Sequence, residues 1–429
     1  MKNFGRFGLA AALVLALAAY EQGNQVNAAG GPPEAANGSY RVLAPIESGN
    51  LLLFPVVRVA SKAPGETPFI ILDEGIKTGE VEVTEAGRVQ GLVRPRRLVP
   101  NSNVPPQFHD DRYRGYPDAP DNSSRGDEVN TLVLVNNSKR PLLLLAGEIV
   151  TGGKQDRVIA KDRIVPVGAD PIDLSVFCIE PGRWTESSPT FGAAAKAPAH
   201  GFMVQPTVRE RAMVEKDQQQ VWDSVHGAIS TMQMAAAPAA STSSMDGSGG
   251  GSMGGGAHYD PPSARAFGTT SYAKVMESNA VSEKVDEAAA SVMKARDQVL
   301  AQLRQEHAVG VVVAVRGEIL WADLFADTEL LSRYWTKLVR SYAAESLTAG
   351  DTHSAPSVAD AQHFLDAPSG GTETSEGDVG VYRYRELKSG STETFVLESL
   401  LPGTGYDVHI SKLKLKNAER RIKSPQIYY

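Results

Sequence analysis

Short apolar stretches separated by turn-forming residues are the feature that most constrains how the first part of this 429-residue chain can fold. Apolar and β-branched side chains fill these stretches, and Gly, Pro, Asn or Asp lies between them. Such a pattern is typical of β-strands. The stretches are residues 51–60, 69–76, 129–138, 142–150 and 172–180. Residues 40–184 are therefore predicted to be rich in β-structure, and the aperiodic residues 100–125 to form a long exposed loop.

Helical periodicity follows this β-rich region. Thr207 and Glu210 have the spacing of a capping box, which predicts a helix that begins with Thr207 as its N-cap. The apolar stripe of this helix comprises Val221, Trp222, Val225, Ile229 and Met232. A second amphipathic helix carries Val281, Val285, Ala288, Val292, Val299 and Leu303. Each helix should pack one face against a core.

The last third of the chain predicts strands on both sides of a helix. Residues 309–325 are two apolar runs around Gly317, and an apolar stripe then predicts a helix over residues 328–347. The segment 348–378 is polar and rich in Gly and Ser. Further β runs lie at residues 379–387, 393–401 and 406–415.

These elements predict an α+β fold with two β-rich halves that carry amphipathic helices, at residues 40–233 and 263–429. Between them, the Gly/Ser-rich residues 234–262 cannot bury enough apolar surface to offset their ordering entropy, so a disordered linker is predicted. The halves either share one core or pack side by side. The sequence Gly-Glu-Ile at residues 147–149 recurs at residues 317–319, through a duplicated half-domain or through two turns that need a glycine with positive φ.

The N-terminus predicts a secreted or periplasmic protein. Lys2 and Arg6 precede the apolar run 9–19, and small or apolar residues at Val26 and Ala28 suit cleavage by a signal peptidase. Residues 1–28 are therefore interpreted as a signal peptide, and residues 29–39 as a disordered lead-in. The apolar run is shorter than a bilayer-spanning helix needs, so no stable membrane insertion is expected after cleavage.

Composition excludes several function classes. The net charge of −7 disfavours a nucleic-acid partner. Cys178 is the sole cysteine and lies in an apolar run, so neither an intrachain disulfide nor a nucleophilic thiolate is expected. The eight histidines show no metal-ligand spacing, and the sequence contains no dinucleotide fingerprint. Neither a metal nor another cofactor is therefore predicted.

Polar residues at two predicted strand ends form the candidate site. Gly147 and Gly152 have Walker A spacing, but Gly153 displaces the lysine and Gln155 replaces the hydroxyl residue, so a phosphate loop is rejected. The candidate ligand-binding residues are Glu148, Lys154, Gln155, Asp156, Arg157, Glu180, Arg183 and Trp184. Arginine forks and an indole suit an anionic or sugar-like ligand. Equally, the charges could pair with one another and only hold the turns in place.

The sequence LLLLAGEIVTGGKQDRV, followed by VFCIEPGRW, resembles the paired signatures of the ARG and rhodanese-phosphatase-superfamily-associated protein domain family. The run VGVVVAVRGEILWADLF and the helix after it resemble the second half of that family. The Gly/Ser segment looks like an insertion, and Pro181 stands where the family pattern suggests Gln. The resemblance implies no established activity and no catalytic residue.

Three functions are compatible with these observations. The preferred hypothesis is non-catalytic binding of an unknown anionic or sugar-like small molecule, or of an envelope protein, in a polar cleft formed by the candidate residues. An alternative is a hydrolase of phosphate-ester or glycosidic, ADP-ribose-like substrates, with Glu148 and Glu180 as an acid/base pair. A third is an envelope scaffold protein without a cleft. Close contact of each glutamate with an arginine would argue against hydrolysis.

Overall fold

A computed structural model describes residues 40–59, 68–85, 131–183, 187–193, 201–237, 268–294, 296–348, 352–369 and 371–415. Several sequence predictions lie outside these residues: the signal peptide 1–28, the lead-in 29–39, the loop 100–125 and residues 238–262 of the Gly/Ser segment.

The strands in the described part are β1 (Tyr40–Val42), β2 (Ile46–Ser48), β3 (Leu51–Arg58), β4 (Ile70–Ile71), β5 (Val81–Glu85), β6 (Thr131–Asn136), β7 (Leu142–Leu144), β8 (Ile149–Gly152), β9 (Arg157–Ile159), β10 (Arg163–Val165), β11 (Ile172–Cys178), β12 (Phe191–Ala193), β13 (Ala308–Val315), β14 (Glu318–Phe325), β15 (Thr372–Asp378), β16 (Tyr382–Ser389), β17 (Thr392–Ser399) and β18 (Asp407–Lys414). The helices are α1 (Leu72–Thr78), α2 (Pro206–Glu210), α3 (Gln218–Ala236), α4 (Tyr272–Glu277), α5 (Asn279–Ala288), α6 (Ala290–Lys294), α7 (Arg296–Gln305), α8 (Thr328–Ser346) and α9 (Val358–Asp366), with a π-helical turn at Arg211–Glu215.

The largest sheet contains nine antiparallel strands from both ends of the chain. Its order is β1-β3-β13-β14-β18-β17-β16-β15, and β2 pairs with β3. The junction between the two halves is the β3–β13 pair, which runs from Leu51 opposite Val315 to Val57 opposite Ala308, with a register shift between Ala308 and Gly310. Strands that precede and follow the Gly/Ser segment therefore belong to one sheet.

Two smaller sheets are built from the first part of the chain. One has the order β12-β8-β9-β11-β6-β5, and the other has the order β10-β7-β4. Lys161 forms an ion pair with Glu376, and Arg163 with Asp378 at 3.5 Å. These two pairs connect the region of β10 to β15 at the edge of the nine-stranded sheet.

The long helix α8 packs between these parts of the molecule. It begins at Asp327, whose side chain accepts a hydrogen bond from the Leu330 N–H at 2.7 Å and so caps the helix. Leu338 on α8, Leu53 on β3 and Val158 on β9 are buried in the same apolar cluster. One hydrophobic core therefore includes side chains from both sides of the Gly/Ser segment.

The predicted α+β fold class is confirmed, and most predicted strands are present. The stretch 69–76 is an exception, because only Ile70–Ile71 is a strand and α1 begins at Leu72. Asp73 and Glu74 in its first turn favour a helix N-terminus, and Gly79 closes the helix in the left-handed conformation. The apolar run Phe69–Leu72 has the composition of a strand, so the sequence pattern predicted a strand where α1 begins.

The predicted capping box at Thr207 is wrong. Gln205 occupies the N-cap position, Pro206 is the first helical residue, and the Thr207 hydroxyl donates to Glu345 Oε1 at 2.5 Å instead. The helix also does not continue into the stripe at Val221. A residue with positive φ, Lys216, interrupts it, and α3 begins anew with Asp217 as its N-cap.

Two further elements differ from the predictions. The amphipathic stripe from Val281 to Leu303 is divided among three consecutive helices, α5, α6 and α7. The polar segment 348–378 contains α9 and β15. Ser357 and Asp360 form a capping box at the start of α9. This signal consists of polar residues, so apolar periodicity does not reveal it.

We predict that replacing Leu53 by Ala lowers the free energy of unfolding by about 2–5 kcal/mol, because its fully buried side chain would leave a cavity in the shared core. Leu400→Ala, at a position that is 39% exposed, is the matched control and should change stability by about 0.5 kcal/mol or less. Urea denaturation followed by circular dichroism measures both. If the wild-type chain unfolded in two separate transitions and not in a single cooperative one, a shared core would be contradicted.

Candidate functional site

A glycine turn between β7 and β8 sets the geometry at the first strand end. Gly147 has a φ of 92°, which favours glycine. A Cβ atom here would also lie 2.9 Å from Cδ of Arg209. The turn therefore needs glycine for its conformation and for the close approach of a buried arginine.

The second Gly-Glu-Ile sequence lies in a different setting. Gly317 also has a positive φ, of 82°, as expected for a turn residue. It connects β13 and β14, which pair with each other, whereas β7 and β8 belong to different sheets. The shared need for positive φ explains the repeated glycine without a duplicated half-domain.

Glu148 is buried and bound on both carboxylate oxygens. Its Oε2 accepts a hydrogen bond from the Leu145 N–H at 2.7 Å, and its Oε1 lies 2.5 Å from Nζ of Lys337. Burial raises the pKa of Glu148, and the Lys337 charge opposes that effect. Both oxygens are thus engaged within the protein.

Lys337 is a buried cation on α8 that joins two carboxylates. Its Nζ lies 2.8 Å from Oδ2 of Asp73, and Asp73 in turn accepts a hydrogen bond from the Gly201 N–H at 2.9 Å. The ammonium also lies over the ring of Tyr334, 4.5 Å from its centroid. Burial would lower the pKa of Lys337, but Asp73 and Glu148 outweigh it and raise the pKa.

A second buried network begins one residue before the glycine turn. The Ala146 N–H donates to Oδ1 of Asp162 at 2.7 Å, and Oδ2 of Asp162 lies 2.6 Å from Nδ1 of His409. The other ring nitrogen of His409 lies 3.1 Å from Oδ1 of Asp323. Burial would lower the pKa of His409, but the two carboxylates outweigh it and raise the pKa to about 9. His409 is therefore an imidazolium at neutral pH.

Arg209 completes this network at Asp323. Its Nη1 lies 2.9 Å from Oδ2 of Asp323, its Nη2 donates to the Ser411 hydroxyl at 3.0 Å, and the guanidinium lies over Trp321. The Tyr342 hydroxyl also donates to Asp323. Burial alone would raise the pKa of Asp323, but Arg209 and His409 hold it well below its usual range.

Asp156 organises the turn of the GGKQDR sequence. Its Oδ1 accepts a hydrogen bond from the Gly152 N–H at 3.0 Å, and its Oδ2 accepts one from the Ser271 hydroxyl at 2.5 Å. Its own N–H donates to Oε2 of Glu180 at 3.1 Å. Burial and then the Glu180 charge raise the pKa of Asp156. This carboxylate thus connects the two predicted strand ends.

Glu180 binds two cations. Its Oε2 lies 2.6 Å from Nη2 of Arg183, and its Oε1 lies 3.2 Å from Nζ of Lys274. Arg183 also donates to the Gly153 carbonyl at 3.0 Å. Burial alone would raise the pKa of Glu180, but the hydrogen bond and charge of Arg183 outweigh it and lower the pKa. The predicted pairing of charges that hold the glycine turn is therefore present here.

The remaining candidate residues differ in accessibility. Gln155 and Arg157 are buried: Nε2 of Gln155 donates to the Glu180 carbonyl at 3.2 Å, and Nη1 of Arg157 donates to the Gln155 carbonyl at 2.7 Å. Lys154 is half-buried, and its N–H donates to Glu85 at 3.0 Å. Trp184 lies outside the described residues. Gln155 and Arg157 thus support the turn from inside.

The structure brings most of the candidate residues together but assigns Glu148 to other partners. Asp156, Glu180 and Arg183 contact one another, and Lys274 on α4 joins them. Glu148 instead contacts Lys337. The two glutamates proposed as an acid/base pair therefore have separate partners: Lys337 binds Glu148, and Arg183 and Lys274 bind Glu180.

Sequence reasoning missed the partners that lie far away along the chain. Lys337 and Lys274 were not predicted as site residues, because each is a single lysine on a helix without any local motif. Lys337 gave no signal of its own, because at 3.6 residues per turn it lies about 200° around α8 from Trp335 and about 100° from Leu338, outside the apolar stripe. Its burial becomes evident only in the folded structure, where nearly all of α8 is enclosed by protein.

The sequence model of the family ARPP-1, the ARG and Rhodanese-Phosphatase-superfamily-associated Protein domain, matches residues 39–413. The chain belongs to this family. The resemblance drawn from the GGKQDR and CIEPGRW sequences is thereby confirmed. No curated protein and no solved structure gives a significant match to the chain.

The described residues of this ARPP-1 domain are poor in metal-binding and nucleophilic groups. Among those residues, no group of three or more His, Cys, Asp or Glu side chains could hold a metal ion. No helix there is long and apolar enough to cross a bilayer. Cys178 is buried, and burial raises the pKa of its thiol to about 12, so the nucleophilic thiolate is scarce at neutral pH.

We predict that this ARPP-1 domain loses stability as the pH rises from 6.5 to 9. A pKa raised from 6.5 to about 9 means that His409 stabilises the folded state below pH 6.5, by roughly 3 kcal/mol, and that this contribution disappears as the pH passes 9. Urea denaturation at pH 6.5, 8 and 9 measures it. The variant His409→Gln should be less stable at pH 6.5 and should show a smaller loss over this range.

Lys412 provides an internal check on the sign. Burial lowers its pKa to about 8, so its contribution rises with pH above 8 and opposes that of His409. The difference between wild type and His409→Gln removes this common term. An identical pH dependence in the two proteins would contradict the role assigned to His409.

Proposed function

We propose that this protein is a secreted or periplasmic, non-catalytic binding module that recognises the anionic group of a small molecule, sugar-like ligand or envelope protein. The binding surface would be the cationic rim, defined as Lys154, Arg183 and Lys274. The signal-like N-terminus supports the compartment.

The observation that carries this proposal is the layered arrangement of charge at Glu180. The Glu180 side chain is only 2% exposed, whereas the side chains of the cations bound to it are 17% exposed for Arg183 and 50% exposed for Lys274. The carboxylate thus lies behind and the N–H donors lie in front. Such an arrangement fixes the cations in place before a ligand arrives, which reduces the entropy lost on binding.

The donors of the rim are not equally available. Arg183 directs its Nη atoms at Glu180 and at the Gly153 carbonyl, so it chiefly positions the turn. Lys274 contacts Glu180 through Nζ, and an ammonium has three N–H donors. Lys274 is therefore the rim residue best placed to donate to an external anion.

The hydrolase alternative receives less support from the geometry. A general acid of raised pKa needs a proton that can reach the substrate, but both oxygens of Glu148 are occupied by Leu145 and Lys337 inside the protein. Glu180 has a lowered pKa and is bound to two cations. Glu180 thus has the arginine partner that argues against hydrolysis, whereas the cation bound to Glu148 is a lysine.

We predict that a ligand of the rim raises the melting temperature of the full chain and that Lys274→Met removes this shift. ADP-ribose, inorganic phosphate, glucose and glucose 6-phosphate are the compounds to use in a thermal-shift assay. Lys274→Met keeps the length of the side chain but removes the donor. A ligand at 100 times its dissociation constant stabilises by roughly 2.7 kcal/mol, which such an assay resolves.

Lys284→Met is the matched control, because Lys284 is also an exposed helical lysine with a carboxylate neighbour, Glu287 at 2.8 Å. It should retain the full ligand-induced shift. Arg183→Met should lower the melting temperature even without ligand, since it removes one of the two cations bound to the buried Glu180 carboxylate and one hydrogen bond to the Gly153 carbonyl. If every compound leaves the melting temperature unchanged, the charges only hold the turns and the scaffold hypothesis is favoured.

A further inference from the structure

An open groove of about 570 Å³ lies away from the cationic rim, between α9, the β13–β14 turn, the β16–β17 turn and the end of β18. This volume is within the range of small-molecule sites. Its apolar part includes Phe364, Ile319 and Pro356, and its polar part includes five ionisable side chains. A ligand can bind here only through those of the five side chains that do not already use all their donors and acceptors within the protein.

The two carboxylates of the groove have partners within the protein. An oxygen of Glu318 lies 3.0 Å from Nζ of Lys414. Oδ2 of Asp360 accepts hydrogen bonds from the N–H and the hydroxyl of Ser357, at 2.8 and 2.7 Å. Both acids are therefore balanced, one by an ammonium and the other by the helix N-terminus that it caps.

The donors of the groove, in contrast, remain available. The imidazole side chains of His353 and His363 line it, are exposed, and make no hydrogen bond or ion pair with another described residue. The charge of His363 does act on Asp360, whose pKa is lowered mainly by its hydrogen bonds with Ser357 and to a smaller extent by His363. Lys414 uses one contact with Glu318 and is 46% exposed, which leaves N–H groups for a ligand. The groove thus offers more donors than acceptors.

A buried cation lies beneath the floor and adds positive potential. Lys412 is 3% exposed, and its Nζ donates to the Leu365 carbonyl at 3.0 Å and to the Ala367 carbonyl at the end of α9. It lies 5.8 Å from the centroid of the Phe364 ring. No carboxylate of the described residues forms an ion pair with it. Its charge is therefore balanced by these carbonyl dipoles and, without a direct contact, by the Asp366 carboxylate.

We propose that this groove binds a small ligand that combines an apolar ring with a carboxylate or phosphate group. The ring would lie on Phe364 and Ile319, and the anionic group would accept hydrogen bonds from His353, His363 and Lys414. A neutral ligand of the same shape would forgo these charge-assisted hydrogen bonds. This site is independent of the cationic rim.

Isothermal titration of the full chain with phenyl phosphate and benzoate tests the proposal, with benzyl alcohol as the neutral ring. Phenyl phosphate or benzoate should bind at least about tenfold more tightly than benzyl alcohol, since a hydrogen bond to a charged group contributes that much or more. The double variant His353→Ala/His363→Ala should lose about tenfold or more in affinity for the anionic probe.

Two control variants separate this groove from other parts of the protein. His307→Asn replaces another exposed histidine, and asparagine tolerates the positive φ of that position. Lys274→Met changes the cationic rim. Both should bind the anionic probe as the wild type does. A second site on the rim would appear as a loss of affinity in Lys274→Met and would overturn the assignment to the groove.

Three other results would overturn the proposal. These are absence of binding by both anionic probes, equal affinity for benzyl alcohol, or unchanged affinity in the double histidine variant. Both histidines are exposed, so the variant should keep the circular dichroism spectrum of the wild type. If the double variant does not fold, Phe364→Leu, which changes the residue proposed to contact the ring of the ligand, is titrated with phenyl phosphate. An unchanged affinity would overturn the proposal.

Discussion

The ion pairs around Asp323 are the interaction on which the rest of the structure depends. Asp323 on β14 contacts Arg209 from α2 and His409 from β18, and His409 reaches Asp162 beside β10. Four segments that are far apart in the sequence thus meet at buried charges. Removing one partner of a buried pair typically costs about 3–5 kcal/mol, because the other charge stays desolvated. The network therefore fixes how the sheets and α2 are arranged.

The same requirement explains the geometry of the backbone turn at Gly147. Between Leu143 and Glu148, backbone groups contact both networks: the Ala146 N–H binds Asp162, and the Leu145 N–H binds Glu148. Gly147 leaves room for Arg209. The apolar leucines and the polar residues that follow them are thus one structural unit. The first part packs the core, and the second satisfies the charges that the core encloses.

Whether a feature could be predicted from the sequence depended on how far apart along the chain the interacting residues lie. The strands β3, β11, β13 and β14 and the helix α8 follow local periodicity, so they were predicted. The capping box at Thr207 failed because Glu345, 138 residues away, takes the Thr207 hydroxyl. Glu180 and Arg183 are three residues apart, and their pairing could be anticipated. Lys337 and Glu148 are 189 residues apart, and no local pattern reveals such a pair.

The distribution of unused hydrogen-bond donors separates structural charges from candidate binding groups. Around Asp323 and Lys337, donors and carboxylates are matched within a buried volume, which is the condition for enclosing charge. At Lys274, and in the groove at His353, the carboxylates are satisfied while N–H donors still reach solvent. Two such sites, as proposed above, would favour compact anions over an extended polyanion, because the net charge of −7 repels the latter.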